Sequence, residues 1–216
     1  MTRVLIADDH AIVREGLKRI LEGQEGIEIA GEATNGHEVV RAVRDVEFDV
    51  LLLDMSMPGR SGMELIRQVK SEKPKLRILV LSMHEEHQYA VRAIRAGASG
   101  YLTKESAATL LVAAIRKVGA GGAFISAEVA EQLALSAMPH AAGPAHATLS
   151  DREFQVFQRL VAGAGVTQIA GDLNLSVKTV STHKARLMEK LGVANQAELI
   201  HYALKHRLSE DPNAPA

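Results

Sequence analysis

Residues 50–54 read VLLLD, four consecutive aliphatic side chains closed by a carboxylate. With no polar residue alternating through it, so short a run suits a β-strand buried on both faces. ILVL at residues 78–81 has the same composition, and short, largely apolar runs also stand at 4–7, 27–33 and 100–103. The stretches between these runs carry apolar residues at helical spacing. Five strand-then-helix units result over the first 120 residues. The fold they predict is doubly wound α/β, a parallel sheet with helices on both faces.

Working outward, the 216 residues fit one large or two modest domains, and 47% hydrophobic with 24% charged residues is ordinary globular composition. No apolar run reaches the length of a membrane span, and the opening MTRVLIADD lacks the pattern of an export signal. A cytoplasmic protein is therefore expected, without membrane partners. The absence of cysteine excludes disulfides and thiolate metal sites. The net charge of −1 divides unevenly: residues 1–147 hold 17 basic against 19 acidic side chains, and residues 148–208 hold 8 against 5. The basic second part points to an anionic partner.

Glycines at 119, 121 and 122 end the first unit, a short helix is expected at about 127–137 behind Ser126, and MPHAAGPAHA at 138–147 has no periodic pattern. This divides the chain into a first domain at 1–120, a linker with a short helix at 121–147, a second domain at 148–208 and a tail at 209–216. Ser150 and Glu153 form a capping-box pattern at the start of the second domain. Helices are expected there at about 151–162, 166–172, 177–191 and 195–207. The second and third are joined by LNLS, a turn short enough for a helix-turn-helix, with Ser176 as the cap.

Ligands of open parallel sheets gather beyond the carboxyl ends of the strands. The polar residues there are Asp8 and Asp9 after the first run, Asp54 after the third, Ser82 after the fourth and Lys104 after the fifth. Each alone is equally a solvated strand-end group. Together they are the oxygen ligands, cation and hydroxyl that a Mg2+-assisted phosphoryl acceptor requires. Three converging carboxylates would repel one another without a cation.

IADDH (6–10), LLLDMSMPG (51–59), LVLSMH (79–84) and GYLTK (100–104) resemble the receiver domains of two-component response regulators over about residues 1–120. The resemblance implies a flavodoxin-like strand order of 2-1-3-4-5. It also implies that Asp54 takes a phosphoryl group from a sensor histidine kinase, forming an acyl phosphate. By the same resemblance Asp9 is the direct Mg2+ ligand, Asp8 acts mainly through water and the backbone carbonyl of Ser56 is a further ligand. Lys104 and Ser82 would bind phosphoryl oxygens, and Tyr101 would be the aromatic switch that turns inward with the serine. The chain departs from the pattern in two places. Glu105 stands where many receivers have proline, and Met83 is bulkier than the small residue common there.

In the second domain Val177, Val180, Leu187 and Leu191 lie at helical spacing and define an inward face. Lys178, Ser181, Thr182 and Ala185 form an outward stripe, flanked by Lys184, Arg186 and Lys190. Short side chains admit base edges and longer cations reach phosphates, although a solvated amphipathic helix has a similar pattern. Residues 148–193 resemble the LuxR-type helix-turn-helix, so that residues 2–208 together resemble a NarL/FixJ-family response regulator. The resemblance implies Ser181, Thr182 and Ala185 as base-facing, with Lys178, His183, Lys184 and Arg186 on phosphates. It also makes residues 195–207 a dimer helix and the DNA-bound or phosphorylated form a homodimer.

Two other functions share parts of the pattern. An Mg2+-dependent phosphatase or phosphotransferase of the haloacid-dehalogenase type would place a second Asp two residues after the nucleophile, where this chain has Ser56. A ligand-gated quorum-sensing regulator would share the second domain and leave Asp8, Asp9, Asp54 and Lys104 without a role. The expectation is a phosphoryl acceptor that controls transcription, not an enzyme acting on external substrates.

Overall fold

The structure is a computed structural model and describes residues 1–57, 62–82, 87–137, 144–206 and 208. It falls into two compact units, Met1–Ala137 and Met138–Ala216. Among the described residues no helix is long and apolar enough to cross a membrane.

In the first unit strands β1 (Thr2–Ala7), β2 (Ile27–Ala33), β3 (Val50–Asp54), β4 (Arg77–Ser82) and β5 (Gly100–Thr103) alternate with helices α1 (Ala11–Leu21), α2 (Gly36–Asp45), α3 (Gly62–Glu72), α4 (His87–Ala96) and α5 (Lys104–Gly119). The strands pair in parallel in the order β2-β1-β3-β4-β5, the order that the receiver resemblance implies. Successive side chains of a strand point to opposite faces, and this divides the VLLL run between two cores. Leu51 and Leu53 pack with Val39, Val43, Leu65, Ile66 and Val69 beneath α2 and α3. Val50 and Leu52 pack with Leu17, Leu21, Leu111 and Ile115 beneath α1 and α5. All four are fully buried, which is why no polar residue interrupts the run.

The strand ends differ from the sequence reading by one residue where it matters. Asp54 and Ser82 are the last residues of β3 and β4 rather than loop residues beyond them, and Asp54 is in register with Leu81. The chain passes from β5 directly into α5, with Lys104 in its first turn. Thr103 caps the helix by accepting from Ser106 N at 3.1 Å. Glu105 lies in that first turn, where a carboxylate complements the helix dipole. No cis peptide occurs among the described residues.

Of the segment expected as a linker with a short helix at 121–147, residues 121–137 group with the first unit, and the short helix is present at Ala127–Ala137. Tyr101 N donates to Phe124 O at 2.9 Å and Phe124 N donates to Ser99 O at 3.1 Å, so residue 124 is paired along the outer edge of β5. Ile125, Val129 and Leu133 then pack into the same core cluster as Tyr101. They are carried by helix α6 (Ala127–Ala137) and the turn before it. An edge strand leaves backbone groups to be satisfied, and 121–137 satisfies them as part of the first unit. Residues 138–143 of the expected linker, the tail at 209–216 and Met83 lie outside the described residues.

The second unit contains a 3-10 turn (Ala145–Thr148), which the sequence reading did not expect, and helices α7 (Asp151–Val161), α8 (Val166–Asp172), α9 (Val177–Leu191) and α10 (Gln196–Lys205). Phe154, Phe157, Leu160, Ile169, Val180, Leu187 and Leu199 form its core. The capping box is present: Ser150 N donates to Glu153 Oε2 at 2.7 Å and Glu153 N to Ser150 Oγ at 3.3 Å. Asn174 takes a left-handed φ of 52° between α8 and α9, a conformation asparagine tolerates better than most residues. Ser176 then caps α9 by accepting from Thr179 N at 3.0 Å.

Candidate functional site

The carboxyl ends of β1, β3 and β5 bring Asp8, Asp54 and Lys104 together. Asp8 and Asp54 are both fully buried. Lys104 Nζ lies 2.7 Å from Asp8 Oδ2 and 3.1 Å from Asp54 Oδ1. The second approach is within ion-pair range, and the contacts of the Asp54 oxygens fall short of strict hydrogen-bond geometry. Burial pushes the Asp54 carboxyl above its ordinary range. Lys104 and the Ser56 backbone pull against this without cancelling it, and the Asp8 carboxylate adds to the rise. Burial disfavours the Lys104 ammonium, but Asp8 and Asp54 outweigh it and leave the amine more basic than usual.

Asp9 follows on the exposed side of the cluster, and single ligand atoms of Asp8, Asp9, His10 and Asp54 lie within 4.8 Å of one another. Hard carboxylate oxygens, those of Asp8 and Asp54 buried beside the Lys104 ammonium, are donors that suit Mg2+. Ser56 is exposed two residues beyond Asp54, Ser82 is buried at the end of β4, and Tyr101 is buried in the core cluster next to the sheet. His10 and Arg14 were missed from sequence. His10 N donates to Asp8 Oδ1 at 2.8 Å, and Arg14 Nη1 donates to the Asp8 carbonyl at 2.8 Å while its Nε holds Glu32 at 3.0 Å. The signal for both was the position of His10 directly after the acidic pair, with Arg14 one helical turn on.

In the second unit α9 presents Lys178, Ser181, Thr182, Ala185 and Arg186 to solvent, with Lys184 half-buried beside them. Ser181 Oγ donates to Val177 O at 2.9 Å and Thr182 Oγ1 to Lys178 O at 3.0 Å. Each hydroxyl thus keeps its lone pairs outward as acceptors. Lys178, Lys184 and Arg186 form no ion pair among the described residues. Two expected contacts are placed differently. His183 is half-buried, with its Nδ1 inside the unit and unpartnered. Lys190 Nζ lies 2.6 Å from Glu153 Oε2 and 3.3 Å from Thr148 O, so it serves the frame of its own unit. Burial alone would raise the Glu153 carboxyl, but Lys190 and Ser150 together hold it below its ordinary value.

Residues 4–116 match the family described as response regulator receiver domain, and residues 147–203 match the bacterial regulatory proteins of the luxR family. Response regulator UvrY of Escherichia coli strain K12 is 40% identical over 209 residues, 96% of each chain. Response regulator GacA of Pseudomonas aeruginosa is 37% identical over 207 residues, 95% of this chain and 97% of that one. Among solved structures, RcsB of Salmonella enterica serovar Typhimurium, bound to a promoter in the presence of the phosphomimetic BeF3−, has a TM-score of 0.67 at 32% identity. The alignment covers 93% of this chain and 97% of that one. An RcsB–DNA complex has a TM-score of 0.59 at 32% identity and covers 94% and 98%.

Proposed function

Because this chain belongs to the NarL/FixJ family of two-component response regulators, a receiver domain followed by a LuxR-type DNA-binding domain, we propose that its input is a phosphoryl group accepted by Asp54 from a sensor histidine kinase. The observation that carries this reading is Asp54 itself, a fully buried carboxylate at the end of β3 with the Lys104 ammonium 3.1 Å from its Oδ1. An Asp54 oxygen bonds to phosphorus as the phosphorus–nitrogen bond of the donor's phosphohistidine breaks, leaving an acyl phosphate and a free imidazole. Asp8, Asp9, Asp54 and the Ser56 carbonyl would hold Mg2+, which supplies charge neutralisation for the transferring group. Lys104, already more basic than usual, exchanges part of its carboxylate contact for a phosphoryl oxygen. Ser82 donates to another oxygen, and Tyr101 fills the space behind it. Asp54 stores the group and does not turn over an external substrate.

The output is DNA binding by α9, with Ser181, Thr182 and Ala185 at base edges and Lys178, Lys184 and Arg186 on phosphates. That similar RcsB has been solved bound to a promoter supports DNA binding as the output. We leave Lys190 out of the contact set because Glu153 engages it, and give His183 no phosphate while its Nδ1 faces inward. Two chains paired through α10 would read two half-sites, and phosphorylation would shift the population toward the pairing arrangement. The working place of such a protein is the cytoplasm, with the DNA. Intact-mass measurement with a small phosphodonor tests the input: the wild-type chain gains one phosphoryl group and Asp54→Asn gains none. Normal labelling of the variant overturns the assignment.

A further inference from the structure

We propose that His10 is a nitrogen ligand of the divalent-cation site, so that the site favours ions that accept imidazole, such as Co2+ and Zn2+, over Mg2+ more strongly than its carboxylates alone would. This rests on the metal-assisted reading of Asp54 given above. His10 Nδ1 lies 3.0 Å from Asp9 Oδ1 and 3.3 Å from Asp8 Oδ1. Neighbouring donors on an ion with bonds of about 2.1 Å are themselves about 3 Å apart, so these spacings suit one edge of a coordination sphere.

The ring already faces both carboxylates, with Nδ1 in a hydrogen bond of 3.3 Å to Asp8 Oδ1, and a bound ion would take the place of the proton between them. His10 is the N-cap residue of α1, yet its side chain makes no capping hydrogen bond. Its own N–H is fixed on Asp8 Oδ1, and Arg14 holds the preceding Asp8 carbonyl from one turn further along the helix. Lys104 approaches Asp8 through Oδ2 while His10 approaches through Oδ1. The ammonium and the imidazole therefore occupy different sides of one carboxylate and do not compete. With the side chain 63% exposed, the far ring nitrogen meets water and carries the ring proton when Nδ1 offers its lone pair. The fully buried Asp54 belongs to the same group of ligand atoms, with Lys104 Nζ 3.1 Å from its Oδ1. Mg2+ takes oxygen donors almost exclusively, whereas Co2+ and Zn2+ gain from imidazole. His10 thus separates the two classes of ion.

The test uses the full chain without phosphodonor and compares wild type, His10→Asn and Asp54→Asn. Mg2+ and Co2+ affinities are measured by calorimetry, and the Co2+ form is followed by proton NMR. We expect wild-type Co2+ protein to show a hyperfine-shifted, exchangeable ring N–H resonance that His10→Asn lacks. The ratio of Co2+ to Mg2+ affinity should fall by about tenfold or more in that variant, as for loss of a metal-supporting group, with Mg2+ binding retained. An unchanged ratio, or a shifted resonance that persists in His10→Asn, overturns the role of His10. If both ions bind wild type and Asp54→Asn weakens both, that result leaves the metal-assisted reading standing. If wild type binds neither ion, both proposals fall together.

Discussion

Lys190 Nζ lies 2.6 Å from Glu153 Oε2, joining the last turn of α9 to the first turn of α7. The carboxylate is almost fully buried, with 4% of its side chain exposed, and the ammonium is at the surface with 39% exposed. Lys190→Met leaves the capping-box carboxylate without its cation. The expected cost is about 1–2 kcal/mol, toward the low end because solvent screens the exposed partner. Urea unfolding followed by amide exchange in α7 and α9 reads it. The slope of DNA affinity against salt should match wild type, since the lysine contacts its own unit.

Lys184→Ala should behave in the opposite way. Loss of one phosphate contact lowers affinity similarly on all sequences and flattens the logarithmic salt slope by about one, while stability changes little. A substitution at Thr182, whose hydroxyl projects from the exposed face of α9, should instead alter site preference. Binding titrations on two unrelated sequences at several salt concentrations distinguish the two effects.

The Arg44–Glu72 pair provides a pH test away from both sites. Arg44 Nε and Nη2 donate to the two Glu72 oxygens at 2.7 and 2.8 Å, and Arg44 with Gln68 lowers the carboxyl pKa to about 2. A carboxyl depressed by folding contributes stability that is fully present above its ordinary pKa of 4.5 and is lost as pH falls from there toward about 2. NMR titration of the Glu72 carboxyl should give a midpoint near the lowered value. In Arg44→Gln the midpoint should return toward the ordinary range, and the first unit should lose its excess acid resistance.

Gly100→Ala tests the join between β5 and the segment that covers it. An added Cβ would lie 2.8 Å from Leu79 Cδ1 and 2.9 Å from Phe124 O. The leucine can rotate, but the carbonyl belongs to backbone and must retreat. We expect a destabilisation of about 1–3 kcal/mol and faster exchange of the Tyr101 amide, which donates to that carbonyl.

The parallel sheet was legible because strands buried on both faces must be apolar throughout, and VLLL and ILVL meet that demand locally. Asp8, Asp9, Asp54 and Lys104 were legible as a set because open sheets gather polar groups at one end of the strands. What could not be read were contacts made across long stretches of chain. Lys104 meets Asp8 over a separation of 96 residues and Lys190 meets Glu153 over 37. Nothing local distinguishes a lysine that faces a phosphate from one that closes on a carboxylate. The pairing of Phe124 escaped notice because one bridged residue produces no periodicity.

The strap that Phe124 lays along β5 also bears on how the first unit behaves in isolation. An uncovered outer strand offers its peptide groups to any chain that approaches, and is a common route to self-association. Here Tyr101 N and Ser99 O are already engaged by Phe124, and Val129 and Leu133 roof the adjoining core. A fragment ended at residue 120 would expose that strand and the apolar surface beside it, whereas one ended at residue 137 would retain its cover. The shorter fragment should be the sticky one, aggregating with concentration, and the longer one should remain monodisperse.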